Sequence, residues 1–306
     1  MVLAPILSAV LILGAAQTSE LPPDEAVRPQ ELHEVGVFLE GIVFSEDGVG
    51  FVSDVGGGTV YRFSPGSAPE AWTSLPAPNG HEILDDGTHI IVDMSDRALV
   101  RFDGAGNQVG PSIDASEGDP LAGPNDLSAD GDGFYFTDPG PFSPESTEGR
   151  IHYSGPDFNP WPVADGLAFP NGIVQSPNGG TLYIAESLGS RILSMQLLTR
   201  GLPGRRQTLV DLSSDPALPG AGLPDGLTVD QDGNLYVAMH GDGRVFVISP
   251  SGEILRRYDA GMISVANLAF SPAEPGRLFL VGSRDAERTQ GLITVLELPG
   301  RTGVPR

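Results

Sequence analysis

The sequence predicts an all-β fold, a six-bladed β-propeller of four-stranded antiparallel blades around a central channel. Three observations predict it. One short unit recurs six times along the 306 residues, at a spacing of roughly 40 to 54 residues that suits propeller blades. Within each copy, two β-type apolar runs flank a Gly-containing turn, the signature of a hairpin. The 41 Gly and 28 Pro suit many short connections better than long helices.

The copies read "LEGIVFSEDGVGFVSD" from Leu39, "PNGHEILDDGTHIIVD" from Pro78, "PNDLSADGDGFYFTD" from Pro124, "PNGIVQSPNGGTLYIAE" from Pro170, "PDGLTVDQDGNLYVAMH" from Pro224 and a looser "ANLAFSPAEPGRLFLVG" from Ala266. A loop and a third apolar run follow each one, from "TVYRFS" in the first to "LITVLEL" in the last. Segments such as "AWTSL" and "RQTLVDL" supply an outer fourth strand. The six units occupy residues 32–300 as a single domain. The segment "HEVGVFLE" is expected to close the ring by pairing with the last unit, because an open ring leaves sheet edges exposed. An open β-sandwich is the alternative, and an uninterrupted sixfold pattern argues against it.

A polar residue stands at one position of every copy. Eight residues before the turn Gly come Glu40, Asn79, Asn125, Asn171 and Asp225; in the sixth copy Asn267 precedes Gly276 by nine. In a propeller the first strand of each blade lines the channel, so equivalent positions face one another around the axis. Turn capping explains Asn or Asp in any single copy. It explains Glu40 poorly, because the longer side chain caps badly. Six converging carboxylates and amides suit a hard divalent cation, Ca²⁺ first, with Mg²⁺, Mn²⁺ or Zn²⁺ as alternatives. Without a metal, Glu40 and Asp225 repel, and one pKa rises.

Composition excludes several classes. Forty acidic residues against 17 basic ones, every one of the latter Arg, give a net charge of -23. That charge repels phosphate backbones and anionic membranes, so no nucleic-acid partner and no stable membrane association are expected. The absence of Cys rules out disulfides, thiolate metal sites and thiol nucleophiles. The N-terminal "MVLAPILSAVLILGAAQTSE" has an apolar run ending in small residues, which predicts a signal peptide over residues 1–16 and a periplasmic or secreted protein; it lacks a basic n-region, and the protein is cytoplasmic if the segment is not a signal. Residues 17–31, rich in Pro and Glu, are expected to form a flexible leader.

The pieces "EG" at 40, "GPNDLSADGDGFYFTDP" at 123, "FPNGIVQSPNGGTLYIAES" at 169 and "LPDGLTVDQDGNLYVA" at 223 resemble the SMP-30/gluconolactonase family of six-bladed propeller hydrolases. The resemblance implies a divalent cation, usually calcium, held at Glu40, Asn171 and Asp225, with Asn125 touching metal or substrate. Two departures stand out. Ile42 and Val43 follow the first-blade Glu-Gly, where many members carry Pro and an aromatic. Gly123 and Pro124 precede Asn125, where sugar-lactone members carry a substrate-binding Arg.

The chemistry implied is hydrolysis of a small-molecule lactone or ester, with the cation as Lewis acid and Asp225 as first candidate for base or nucleophile. The residues closing the second strands, Asp54, Asp93, Asp138, Glu186 and His240, are expected to border the pocket, with His240 a candidate proton shuttle. His81 lies two after Asn79, on the same side by strand alternation, which would let it reach the channel; a satisfied structural His is the expected outcome there. The loops "DPGPFSPESTEGR" and "SRDAERTQG" are candidate covers. No P-loop, Rossmann, HExxH or GxSxG motif occurs to suggest another chemistry. Phosphotriesterase or arylesterase activity on the same cation, and a calcium-stabilised binding module without turnover, are the alternatives.

Overall fold

The computed structural model describes residues 20–64, 66–213, 215 and 222–304; the expected signal segment, residues 1–16, lies outside them. The predicted propeller is present. Blade 1 runs outward from the channel through Leu39–Phe44, Gly50–Asp54, Thr59–Phe63 and Glu70–Ser74. Blades 3, 4 and 5 repeat this order, with inner strands Leu127–Asp130, Pro170–Gln175 and Leu223–Val229. Every strand pairs antiparallel with its sequence neighbour, so each blade is two hairpins in series.

Blade 6 is closed by an N-terminal strand, as expected, but one that starts earlier than "HEVGVFLE" and shares only His33 and Glu34 with it, since Leu39 and Glu40 enter the inner strand of blade 1. Gln30–Glu34 adds to the outer edge of Gly291–Glu297, outside Arg277–Ser283 and the inner Ser264–Phe270. Blade 2 is the irregular one, with three strands, Pro78–Ile83, His89–Asp93 and Ala98–Phe102. Its fourth position is reduced to isolated bridges at Gln108 and Ile113. The cause is local: "GAGNQVGPS" from Gly104 places Gly and Pro where a ladder needs donors and side chains.

The core lies between blades. Phe44 and Phe63 of blade 1 meet Phe279, Val281 and Val295 of blade 6, and the Phe44 and Phe279 rings stand 4.9 Å apart, edge to face. Burying each such side chain is worth about 1.5–3 kcal/mol, so every interface welds its two blades. Among the described residues no helix is long and apolar enough to cross a membrane.

The expected flexible leader is docked from residue 20 on. Leu21 and Val27 are buried in the cluster between blades 5 and 6. Arg256 donates from Nε to the Pro22 carbonyl at 2.9 Å and from Nη2 to the Leu21 carbonyl at 2.8 Å. Tyr258 adds a hydroxyl bond to Pro22 O at 2.8 Å. Composition suggested disorder; two apolar residues with carbonyls in reach of one Arg were enough to anchor the segment on the outer strand of blade 5.

Inner strands share one device. The ladder slips between Glu40 and Ile42, Pro78 and His81, Pro170 and Ile173, and Pro224 and Leu227, a bulge at each polar position. The extra residue is Gly41, Gly80, Gly172 or Gly226, and each lies against the next blade. A Cβ on Gly41 would fall 2.0 Å from Asn79 O, on Gly80 2.6 Å from Asn125 O, and on Gly172 2.1 Å from Asp225 O. Glycine is therefore required where neighbouring inner strands converge on the axis.

Candidate metal and active site

The bulges bring the predicted residues to one mouth of the channel. Glu40, Asn79, Asn125 and Asp225 are buried there, and Asn171 is half-buried. The sixth copy is offset by one residue. The carbonyl that approaches Gly226 belongs to Ala266, so Asn267 sits one step past the ring position. That step is the one Asp126 takes in blade 3, and the Asn267 side chain hydrogen-bonds Asp126.

Charge in this mouth is strongly unfavourable for the protein alone. Burial raises the Glu40 pKa well above the usual carboxylate range, and the charges of Asp225 and Asp126 raise it further. Burial and Asp126 do the same to Asp225, opposed by Arg288 and by the Asn171 side chain. Asp126 is pushed up to about 7 by burial, against the backbone amides of Leu127 and Ile173. Buried carboxylates held together in this way call for a counter-cation.

Most of the residues closing the second strands do not border the pocket. Asp54 Oδ1 accepts backbone N–H bonds from Val37 at 3.1 Å and Phe38 at 3.2 Å. Asp93 accepts from Ala77 at 3.2 Å, Asp138 from Ala122 at 3.0 Å and Gly123 at 2.7 Å, and Glu186 from Ala168 at 2.9 Å. These four carboxylates are latches that pin each interblade loop just ahead of its ring residue. The buried amides demand acceptors, which accounts for the recurring acid without any catalytic role.

His240 escapes that duty because blade 5 closes one residue later. Met239 holds the latch register, paired with Pro224, and His240 follows. Its Nδ1 stands 3.6 Å from Asp225 Oδ2, and its Nε2 lies 2.6 Å from Arg288 Nη2. Burial and the Arg288 charge push its pKa down to about 4, so the ring is neutral near pH 7. A guanidinium only donates, so Nε2 is the acceptor and Nδ1 carries the proton on the Asp225 side.

His81 is the structural His expected of it rather than a channel residue. The bulge between Pro78 and His81 reverses strand parity and turns it away from the channel. Its Nε2 meets His89 Nδ1 at 2.9 Å, among Phe51 and Trp72. A cavity of about 650 Å³ lies at the opposite mouth, lined by Glu46, Asp85, Asp130 and Arg200 among others, and holds none of these groups.

Comparison with known proteins agrees with this geometry. The family model described as SMP-30/gluconolactonase/LRE-like region matches residues 38–284. The chain belongs to that family. A gluconolactonase of Zymomonas mobilis is 31% identical over 235 residues, covering 70% of this chain and 63% of that protein, just under two thirds of its length. A lactonase of Staphylococcus saprophyticus is 29% identical over 275 residues, 84% of this chain and 82% of the relative. Among solved structures, a Xanthomonas campestris gluconolactonase superposes with a TM-score of 0.75 at 25% identity, covering 90% and 91% of the two chains. The calcium-binding regucalcin of Agrobacterium tumefaciens, at 20% identity and a TM-score of 0.73, covers 90% of this chain and 96% of its own, and shares the fold.

As a member of this family the chain supplies a donor set that fits a hard cation. Among the described residues no group of three or more His, Cys, Asp and Glu forms a metal site; the ring combines two carboxylates with amide oxygens, which suits calcium better than softer ions. Three residues escaped sequence reasoning. Asp126 could have been found, since it stands after Asn125 where copies one, two, four and five carry Gly. Arg288 lies in the candidate covering loop "SRDAERTQG", which pointed to the segment but not to the residue; Phe38 carried no signal. Arg288 reaches in from the sixth-blade loop, its guanidinium carbon 4.7 Å from the centre of the Phe38 ring, and Phe38 meets His240 edge to face at 5.9 Å.

Proposed function

We propose that this protein is a metal-dependent hydrolase that opens lactones, with Glu40, Asn171, Asp225 and Asn125 holding a divalent cation, calcium first. The observation that carries the reading is the mutual charge of Glu40 and Asp225 in one buried mouth, alongside lactonase and gluconolactonase relatives. When bound, such a cation would polarise the lactone carbonyl and offset the negative charge that develops on its oxygen.

The chain's own groups divide the proton work. Water attacks the carbonyl carbon, its proton passes to a base, and the ring C–O bond then breaks as the leaving oxygen takes a proton back. Asp225 is the candidate acceptor by its place in the ring, whereas burial and the Arg288 charge hold the His240 pKa down to about 4. His240 also has Nε2 committed to Arg288, so it positions Asp225 and Arg288. Export through residues 1–16 belongs to the same proposal, and N-terminal sequencing of the mature chain tests cleavage before Gln17.

The deciding experiment measures hydrolysis of a lactone panel before and after chelation, with calcium restored, in wild type, Glu40→Gln and Asp225→Asn. Loss in both variants and recovery of wild type on calcium support the reading. A folded, calcium-loaded wild type that turns over no lactone sinks it. Turnover of phosphotriesters or aryl esters instead would move the same site to the neighbouring chemistry.

A further inference from the structure

The mouth that holds the carboxylates has an apolar rim. Of the seven exposed large apolar side chains among the described residues, four lie on loops of this face: Val37 and Ile263 on loops that enter inner strands, Met94 and Phe142 on loops that follow second strands. Met94 Sδ lies 2.9 Å from Asn79 Nδ2. Phe142, 62% exposed, stands edge-on to Phe169 at 4.8 Å, two residues ahead of Asn171. Ile263 accepts a backbone bond from Gly241, next to His240, at 3.1 Å. Val37 precedes Phe38, which faces His240 and Arg288.

We propose that the site takes lactones bearing an apolar substituent, alkyl or aryl, in preference to polyhydroxylated sugar lactones; this rests on the lactone-hydrolase reading above. Exposed side chains of this size lose water contact only when something apolar covers them, and the covering group must be continuous with whatever occupies the ring. A sugar lactone would set its hydroxyls against Phe142, Met94 and Ile263, none of which donates or accepts a strong hydrogen bond, and would leave those hydroxyls desolvated and unpaired. An alkyl chain gains up to about fourfold in affinity for each methylene moved from water onto the rim, and about twofold where contact is one-sided.

The test separates recognition from turnover. Calcium-loaded wild type and the Phe142→Ser/Ile263→Ser double variant, both substitutions on exposed loops, are titrated by calorimetry with γ-lactams carrying hydrogen, ethyl, butyl or hexyl at C5. kcat/KM is then measured for the matching γ-lactones and for gluconolactone. Wild-type Kd is expected to tighten about two- to fourfold per methylene, with kcat/KM following. The double variant should lose most of that slope while its constants for the unsubstituted ring stay unchanged. A flat wild-type series, a slope that survives the double substitution, or gluconolactone preferred over the hexyl lactone overturns the proposal. A lactam slope without lactone turnover keeps the apolar preference and removes the hydrolase reading.

Discussion

Replacing Gly172 by Ala tests whether the ring of inner strands is as tightly convergent as the site requires. The added Cβ would lie 2.1 Å from the Asp225 carbonyl oxygen and 2.8 Å from the Gly226 Cα, where ordinary contact begins at 3.4 Å. One inner strand must therefore retreat by about an ångström, and both colliding atoms are backbone, so no rotamer change relieves the clash. Overpacking of this kind costs about 1–3 kcal/mol. The displaced strand also carries Asp225, and an ångström of misplacement at a reacting group costs on the order of a hundredfold in rate. Gly104→Ala is the control, since nothing lies within 4 Å of its Cβ and its φ is not positive. The assay is guanidinium unfolding of the chelated proteins, followed by calcium titration and lactone kcat/KM. Wild-type stability and unchanged calcium affinity in Gly172→Ala would refute the account of the ring.

Three further outcomes follow from the same geometry. Calcium at about a hundred times its Kd should stabilise the folded chain by about 2.7 kcal/mol, and an unfolding midpoint indifferent to calcium would contradict the cation site. Asp54→Ala removes the acceptor for the Val37, Phe38 and Gly57 amides; a loss of about 1–3 kcal/mol in denaturant unfolding is expected, with the chain still folded, and no loss would deny the latch. His89 is pushed down by burial from 6.5 to about 4. A lowered folded pKa means its stability is present above the unfolded value and lost as pH falls through the window from 6.5 toward 4. Wild type should therefore lose about 2 kcal/mol more than His89→Gln between pH 7 and 5, and parallel pH profiles would rule out the assignment.

Much of the fold was legible because propeller signals are local. A period-two apolar run, a Gly turn and a second run specify a hairpin without knowledge of its neighbours, and the sixfold repeat supplies the architecture. The same locality explains the failures. The acids closing the second strands look like a pocket lining in the sequence, yet Asp54, Asp93, Asp138 and Glu186 spend their oxygens on backbone amides, because the demand comes from loops 15 to 18 residues away. Strict alternation would carry His81 to the channel, and the bulge that inverts it is what gives His81 its structural place.

The sequence alone determined the blade count and the polar position repeated in each copy, since each is written in residue type and spacing within about 50 residues; the bounds of the closing strand, which pairs Gln30 with Val295, were set by the closed ring. Tertiary structure alone decided which of those polar residues share charge. Glu40 and Asp225 lie in blades 1 and 5, Asp126 faces them from blade 3, and Arg288 and Phe38 come from loops of blades 6 and 1. Electrostatic coupling falls with distance in space and has no dependence on distance along the chain, so only closure of the ring brings these groups together.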